Sequence, residues 1–142
     1  MIAIDTNLLV YAHRSGVPEH RRARGALERA AGEPSGWGIS LPVLAEFWSI
    51  VTHPNSVGGP STGTQAASFI RALVAQGEMM IWTPDADFAD RLLKRAAQIS
   101  LSGARIFDLQ IALIASENGA REIWTHDRNF LQLAGMKIHD PL

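Results

Sequence analysis

The chain has 142 residues, 46% of them hydrophobic and 19% charged, with a formal net charge of −1. That balance suits a single soluble globular domain over residues 1–142 and argues against a polybasic tail or a membrane span, since no run approaches the ~18 apolar residues a span needs. Without cysteine, disulfides, thiolate metal sites and a catalytic thiol are excluded, and with no leader pattern at the N-terminus a soluble cytoplasmic protein is expected.

In chain order, Met1–Ile4 reads as a short buried strand, followed by a helical turn through Asn7–Ala12. Glu19–Ala31 is a helix with a basic outer face (Arg21, Arg22, Arg24) and Pro18 ahead of its first turn. Trp37–Ser40 is a second strand, and Leu41–His53 a helix with Ser40 as N-cap. Residues 54–61 are a loop, rich in Pro, Gly, Asn and Ser. Thr62 and Gln65 form a capping box that opens the helix Thr64–Ala75. Glu78–Trp82 is a third strand. Thr83 as cap and Pro84 in the first turn open Asp85–Gln98. Arg105–Glu117 is a helix stopped by Asn118-Gly119, Glu122–Thr125 a fourth strand, and Met136–His139 is expected as a fifth. The four tryptophans at 37, 48, 82 and 124 lie mostly in apolar runs and read as core. Short apolar strands separated by helices predict a parallel sheet covered on both faces, with ligands at the carboxyl ends of its strands.

Four carboxylates stand where a charge is hard to justify. Asp5 ends the first strand, Glu46 interrupts an apolar helix, Asp108 lies inside Ile106–Ile114, and Asp127 follows the fourth strand. Each has a bland alternative: a cap or turn for Asp5, a buried ion pair for Glu46, a first-turn acid for Asp108, a turn residue for Asp127. The set says more than its members. Two carboxylates ~4 Å apart repel by about 4 kcal/mol at an effective dielectric of 20, so converging acids take up protons or bind cations. All-oxygen donors favour Mg²⁺ or Mn²⁺, and the chemistry such a site supports is phosphodiester hydrolysis. His126 is read as bonding locally or facing solvent, outside the ligand set.

The segments Ile4-Asp5-Thr6-Asn7, Leu44-Ala45-Glu46-Phe47, Asp108-Leu109-Gln110-Ile111-Ala112 and Thr125-His126-Asp127-Arg128-Asn129-Phe130 resemble, in order, the four acidic motifs of PIN-domain ribonucleases, and more narrowly of VapC-type toxins of bacterial toxin–antitoxin systems. The resemblance implies a three-layer α/β/α sandwich with a mainly parallel sheet of about five strands. It implies Mg²⁺- or Mn²⁺-dependent cleavage of RNA, a cognate antitoxin partner and a homodimer. Carried over by position, Asp5, Glu46, Asp108 and Asp127 would be metal ligands or water-orienting acids, with Thr6, Asn7 and Thr125 in support. Asn129 stands where many relatives carry Asp, so Asp127 would act either directly or through a water. Arg14, Arg105 and Arg128 lie near the motifs in sequence and are candidate phosphate contacts or ordinary surface charges.

Two other functions compete with this reading. A non-catalytic RNA-binding or regulatory module would keep the acids without turnover. A phosphotransfer receiver would also place acids at strand ends, but neither Lys94 nor Lys137 follows a strand where that chemistry needs its lysine.

Overall fold

The computed structural model describes every residue from Met1 to Leu142. Five strands, β1 (Ile2–Ile4), β2 (Trp37–Ser40), β3 (Met80–Trp82), β4 (Glu122–Trp124) and β5 (Lys137–His139), alternate with six helices: α1 (Thr6–His13), α2 (His20–Ala31), α3 (Leu41–Thr52), α4 (Gly63–Gly77), α5 (Phe88–Gln98) and α6 (Arg105–Glu117). The strands form one sheet in the order β3-β2-β1-β4-β5, with every pair parallel. Parallel neighbours need crossover connections, and the helices supply them, giving the three-layer α/β/α sandwich expected. From β1 the chain steps to β2 on one side, while β4 pairs on the other. The strand order therefore reverses beside β1, and open α/β sheets bind ligands at the carboxyl ends of the strands at such a reversal.

β1 and β2 are buried along their whole length, as a strand covered on both faces must be. Ile4, Leu8, Leu9, Trp37, Ile39, Phe47, Leu109, Ile114 and Ile123 fill the core on either side of the sheet. Gly38 is needed where β2 meets β3: a Cβ there would stand 2.5 Å from the Met80 carbonyl oxygen. Trp37 satisfies its indole by donating Nε1–H to the Gly77 carbonyl at 2.6 Å. No buried side-chain nitrogen or oxygen lacks a partner, so the interior carries no unpaired polar cost.

Several expected boundaries move, each for a local reason. The helix expected at 64–75 runs over Gly63–Gly77 behind the Thr62–Gln65 capping box, and Glu78 closes it in a left-handed conformation (φ 53°). That turn delays β3 to Met80. α5 starts at Phe88 rather than at Asp85, because the Asp85 carboxylate accepts from the Asp87 N–H at 2.9 Å, an Asx turn that displaces the first helical turn. Ser40 gives α3 no side-chain cap; its hydroxyl donates to the Ile111 carbonyl instead, at 2.7 Å, tying the start of α3 to α6.

The largest correction concerns α3 and Trp48. The helix is apolar all round, yet only Val43, Phe47 and Val51 are buried. Trp48 is 44% exposed, lying over Gly63 at the start of α4, so it is no core residue. The neighbouring helix covers one side of α3 and leaves the other open.

Candidate active site

Thr6 links Asp5 to Glu46 at the end of β1, while Asp108 and Asp127 line a pocket together. Asp5 follows β1 and serves as the N-cap of α1, so the bland expectation for it is met. It does more than cap. Its Oδ1 accepts from the Thr6 N–H at 2.7 Å, while Oδ2 accepts from Asn7 Nδ2 at 2.8 Å and from Thr125 Oγ1 at 2.7 Å. Thr125 follows β4, so this last bond crosses between the two strands at the reversal of strand order.

Thr125 is the hub of the arrangement. Buried and fixed as a donor to Asp5, its hydroxyl also accepts from Asn7 Nδ2 and from the Asp127 N–H, both at 3.0 Å. Asn7 completes the frame by accepting from the His126 N–H through Oδ1 at 3.1 Å. On the other side, the Thr6 hydroxyl donates to Glu46 Oε2 at 2.5 Å. Glu46 therefore faces Asp5 through Thr6, with no arginine against it, and the expected alternative of a buried ion pair is absent. Asp108, in the first turn of α6, accepts from the Leu131 N–H at 3.2 Å. Asp127 accepts from the Asn129 N–H at 2.8 Å.

Asp5 and Asp108 each feel neighbouring acids. Burial pushes the Asp5 carboxyl up to about 6, and the negative charges of Glu46 and Asp108 add to the rise against the opposing hydrogen bonds of Thr125 and Thr6. Burial likewise raises Asp108, with Asp127 and Glu46 adding to the effect and the Leu131 N–H and Arg105 opposing it. Asp108 thus feels both Asp127 and Glu46. Every donor around Asp5 is a hydroxyl, an amide or a backbone N–H. These orient a carboxylate without neutralising it.

The donor set is hard and all-oxygen, which fits Mg²⁺ or Mn²⁺. No three acidic or histidine side chains stand close enough together to hold a metal ion as they lie.

Asp108 and Asp127 line an open pocket of about 650 Å³, with Arg105, Arg128, Asn129 and Gln132 on its wall. Two of the three arginines singled out in the sequence therefore stand at the acids. Arg14 does not: its guanidinium donates to the Gly59 and Val51 carbonyls, each at 2.7 Å, and to the Ser56 hydroxyl, pinning the 54–61 loop. His126 bonds through Nδ1 to the Asp140 carboxylate at 2.9 Å, a partner 14 residues away rather than the local one expected. Gln132 and the Leu131 N–H escaped the sequence reading. They sit in the irregular segment after β4, where only the apolar spacing of Phe130, Leu131 and Leu133 hints that the chain folds back.

Comparison with known proteins agrees with this architecture. The PIN domain family profile matches residues 2–136. Ribonuclease VapC43 of Mycobacterium tuberculosis is 32% identical over 142 residues, all of this chain and 96% of the relative. Ribonuclease VapC33 of the same organism is 29% identical over 100% of this chain and 99% of its own length. Among solved structures, M. tuberculosis VapC20, described as a sarcin-ricin loop cleaving toxin, superposes with a TM-score of 0.68 at 15% identity, covering 92% of each chain. VapBC2 of Rickettsia felis, bound to a DNA fragment from its promoter, gives 0.64 at 23% identity and 98% of each chain. With the family profile spanning residues 2–136 and a VapC relative 32% identical along the whole chain, this chain belongs to the PIN-domain family, among the VapC ribonucleases.

Proposed function

We propose that the chain is a metal-dependent endoribonuclease that hydrolyses phosphodiester bonds in RNA, the toxin of a type II toxin–antitoxin pair, with residues 1–142 acting as one nuclease domain. The observation that carries this reading is the buried Asp5 carboxylate, ringed by Thr6, Asn7 and Thr125 and facing other acids with no cation of the chain's own. Relatives named ribonucleases support the activity. In this reading Asp5, Glu46, Asp108 and Asp127 hold Mg²⁺ or Mn²⁺, Asp127 directly or through a water. A bound divalent ion there supplies an activated water and charge neutralisation at the phosphate.

The chain's own residues do the rest. Thr125 and Asn7 fix the direction of the Asp5 oxygens, and Thr6 fixes Glu46. The Leu131 and Asn129 N–H groups hold Asp108 and Asp127 on the pocket wall. Arg105 and Arg128 bring positive charge to a pocket that must admit a polyanion past its acids. A cognate antitoxin and a second copy of the chain are the proposed protein partners; VapB–VapC and FitA–FitB assemblies among the structural neighbours support the first.

The test is to incubate purified chain with total RNA and Mn²⁺ or Mg²⁺, sequence the new RNA ends, and repeat with Asp5→Asn. Discrete metal-dependent ends that vanish in the folded variant are expected. RNA binding without new ends would overturn the catalytic assignment in favour of a binding module.

A further inference from the structure

Four polar or charged residues are buried in this molecule: Asp5, Thr6, Thr125 and Ser40. The first three belong to the frame around Asp5. Ser40 stands apart from it, 1% exposed at the end of β2, and its hydroxyl donates to the Ile111 carbonyl at 2.7 Å. Its backbone has the extended conformation of an N-cap, yet its side chain caps nothing. Pro42 contributes to this, having no N–H to offer a cap at the second helical position. The hydroxyl is thus free to cross to α6, and no other hydrogen bond or ion pair joins α3 to α6. The Ile111 carbonyl lies in mid-helix, where its own helical turn already supplies a donor. It does not need Ser40 to be satisfied.

The two helices that Ser40 joins each carry one acid. Glu46 lies less than two turns beyond Ser40 on α3, and Asp108 lies one turn before Ile111 on α6. The acids fall into two pairs: Asp5 with Glu46 through Thr6, and Asp108 with Asp127 along one pocket. Thr125 bridges the pairs from the strand side, donating to Asp5 and accepting from the Asp127 N–H. Ser40 bridges them from the helix side. As they lie, no three of these groups stand close enough to hold an ion, so the spacing between the pairs decides what they can bind together. We infer that Ser40 is a positioning residue of the carboxylate site: its bond to Ile111 sets the spacing of Glu46 and Asp108, and through that spacing the affinity for a divalent ion. The inference rests on the ribonuclease reading and deepens it. A hydrogen bond is directional and holds its two atoms within a narrow range of distance; apolar contact alone is non-directional. Mg²⁺ demands near-ideal ligand placement, so a small slide of α3 along α6 is felt at the acids.

The experiment compares the full-length chain with its Ser40→Ala, Ser40→Thr and Val51→Ala variants. Mn²⁺ binding without RNA is read from the electron paramagnetic resonance signal of free Mn²⁺, beside denaturant melts and cleavage across a Mn²⁺ series. Val51 is buried near the far end of the same helix, and its truncation opens a cavity without touching the bond. Ser40→Ala should weaken Mn²⁺ binding about tenfold, as loss of a group that orients ligands does. It should raise the Mn²⁺ needed for half-maximal cleavage by the same factor, while cleavage at saturating Mn²⁺ holds. Ser40→Thr, which keeps the hydroxyl, should recover the affinity of the unmodified chain. Val51→Ala should lower the unfolding midpoint more than Ser40→Ala does and leave Mn²⁺ binding unchanged. Mn²⁺ affinity unmoved in Ser40→Ala, or lowered equally by Val51→Ala, overturns the positioning role even if the unmodified chain cleaves RNA. The expected binding pattern in a chain that cuts no RNA overturns the nuclease reading and leaves the role of Ser40 standing. An unmodified chain that takes up no Mn²⁺ overturns both.

Discussion

Two groups of carboxylates in this molecule are built on opposite plans. On the surface joining α5 and α6, Arg91 donates to Glu117 at 2.6 Å and to Asp85 at 2.8 Å. The hydrogen bond from Arg91 holds the Asp85 carboxyl below its ordinary value. Beside β1, Asp5 and its neighbouring acids have no such partner, and Asp5 is pushed up to about 6. One group is neutralised by the chain itself. The other is oriented by hydroxyls and amides with no cation paired to Asp5, so burial costs stability wherever that carboxyl is ionised.

Removing the central acid should break this contrast most sharply. Asp5→Asn is expected to reduce RNA cleavage by about 100-fold or more, as loss of a group acting on the reacting centre does. It should also stabilise the fold at pH 7.5. The folded pKa of Asp5, about 6, lies above its unfolded value of 3.8, so the folded state holds the proton more tightly. Its contribution is fully favourable below pH 3.8 and is lost as pH rises through 6. The variant should therefore gain about 1–3 kcal/mol at pH 7.5 and nothing near pH 4. Denaturant melts at both pH values check this, and equal effects at the two would refute the burial argument.

Disturbing the frame while keeping the acids should cost less. Thr125→Val loses the donor to Asp5 and the acceptor for Asn7 and Asp127. About 10–100-fold lower activity is expected, because groups that orient ligands carry that much. Cleavage rates at saturating metal, beside a metal titration, separate misorientation from weakened binding.

Away from the acids, stability and activity should come apart. Arg14→Ala removes the guanidinium that ties the 54–61 loop down and is expected to cost about 0.5–1.5 kcal/mol, because the Gly59 carbonyl is exposed and the Val51 carbonyl keeps the Ser61 N–H. Cleavage at 25 °C should be unchanged; a large loss in a folded variant would return Arg14 to the substrate. The smallest effect belongs to the neutralised surface group. Arg91→Ala should leave cleavage as it is and shift the melting temperature little, since exposed pairs contribute weakly. A change in activity there would show that the two carboxylate groups are coupled.

Much of this was readable in the chain. The apolar runs place β1 and β2, because a strand buried on both faces has no room for polar alternation, and the edge strands β3 and β5 were found in runs that folding leaves largely open. Asp5 and Thr125 stand directly after β1 and β4, so the sheet's geometry brings them to one end without further information. The failures were local competitions or distant contacts. Asp85 closes an Asx turn where a helix start was expected. Trp48, apolar in an apolar helix, stays half outside because burial depends on the neighbouring helix, which periodicity does not describe. Leu131 reaches Asp108 across 23 residues of separation, through a segment with no regular element to predict.

From the chain alone came the alternation of helix and strand, the identity of the acids and their order, because these follow from local chemistry and spacing. Folding decided which charges are buried, which arginines are spent on carbonyls and which stand free beside Asp108 and Asp127. Desolvation and Coulomb interaction depend on everything packed around a group, so they exist only once distant segments have been brought together.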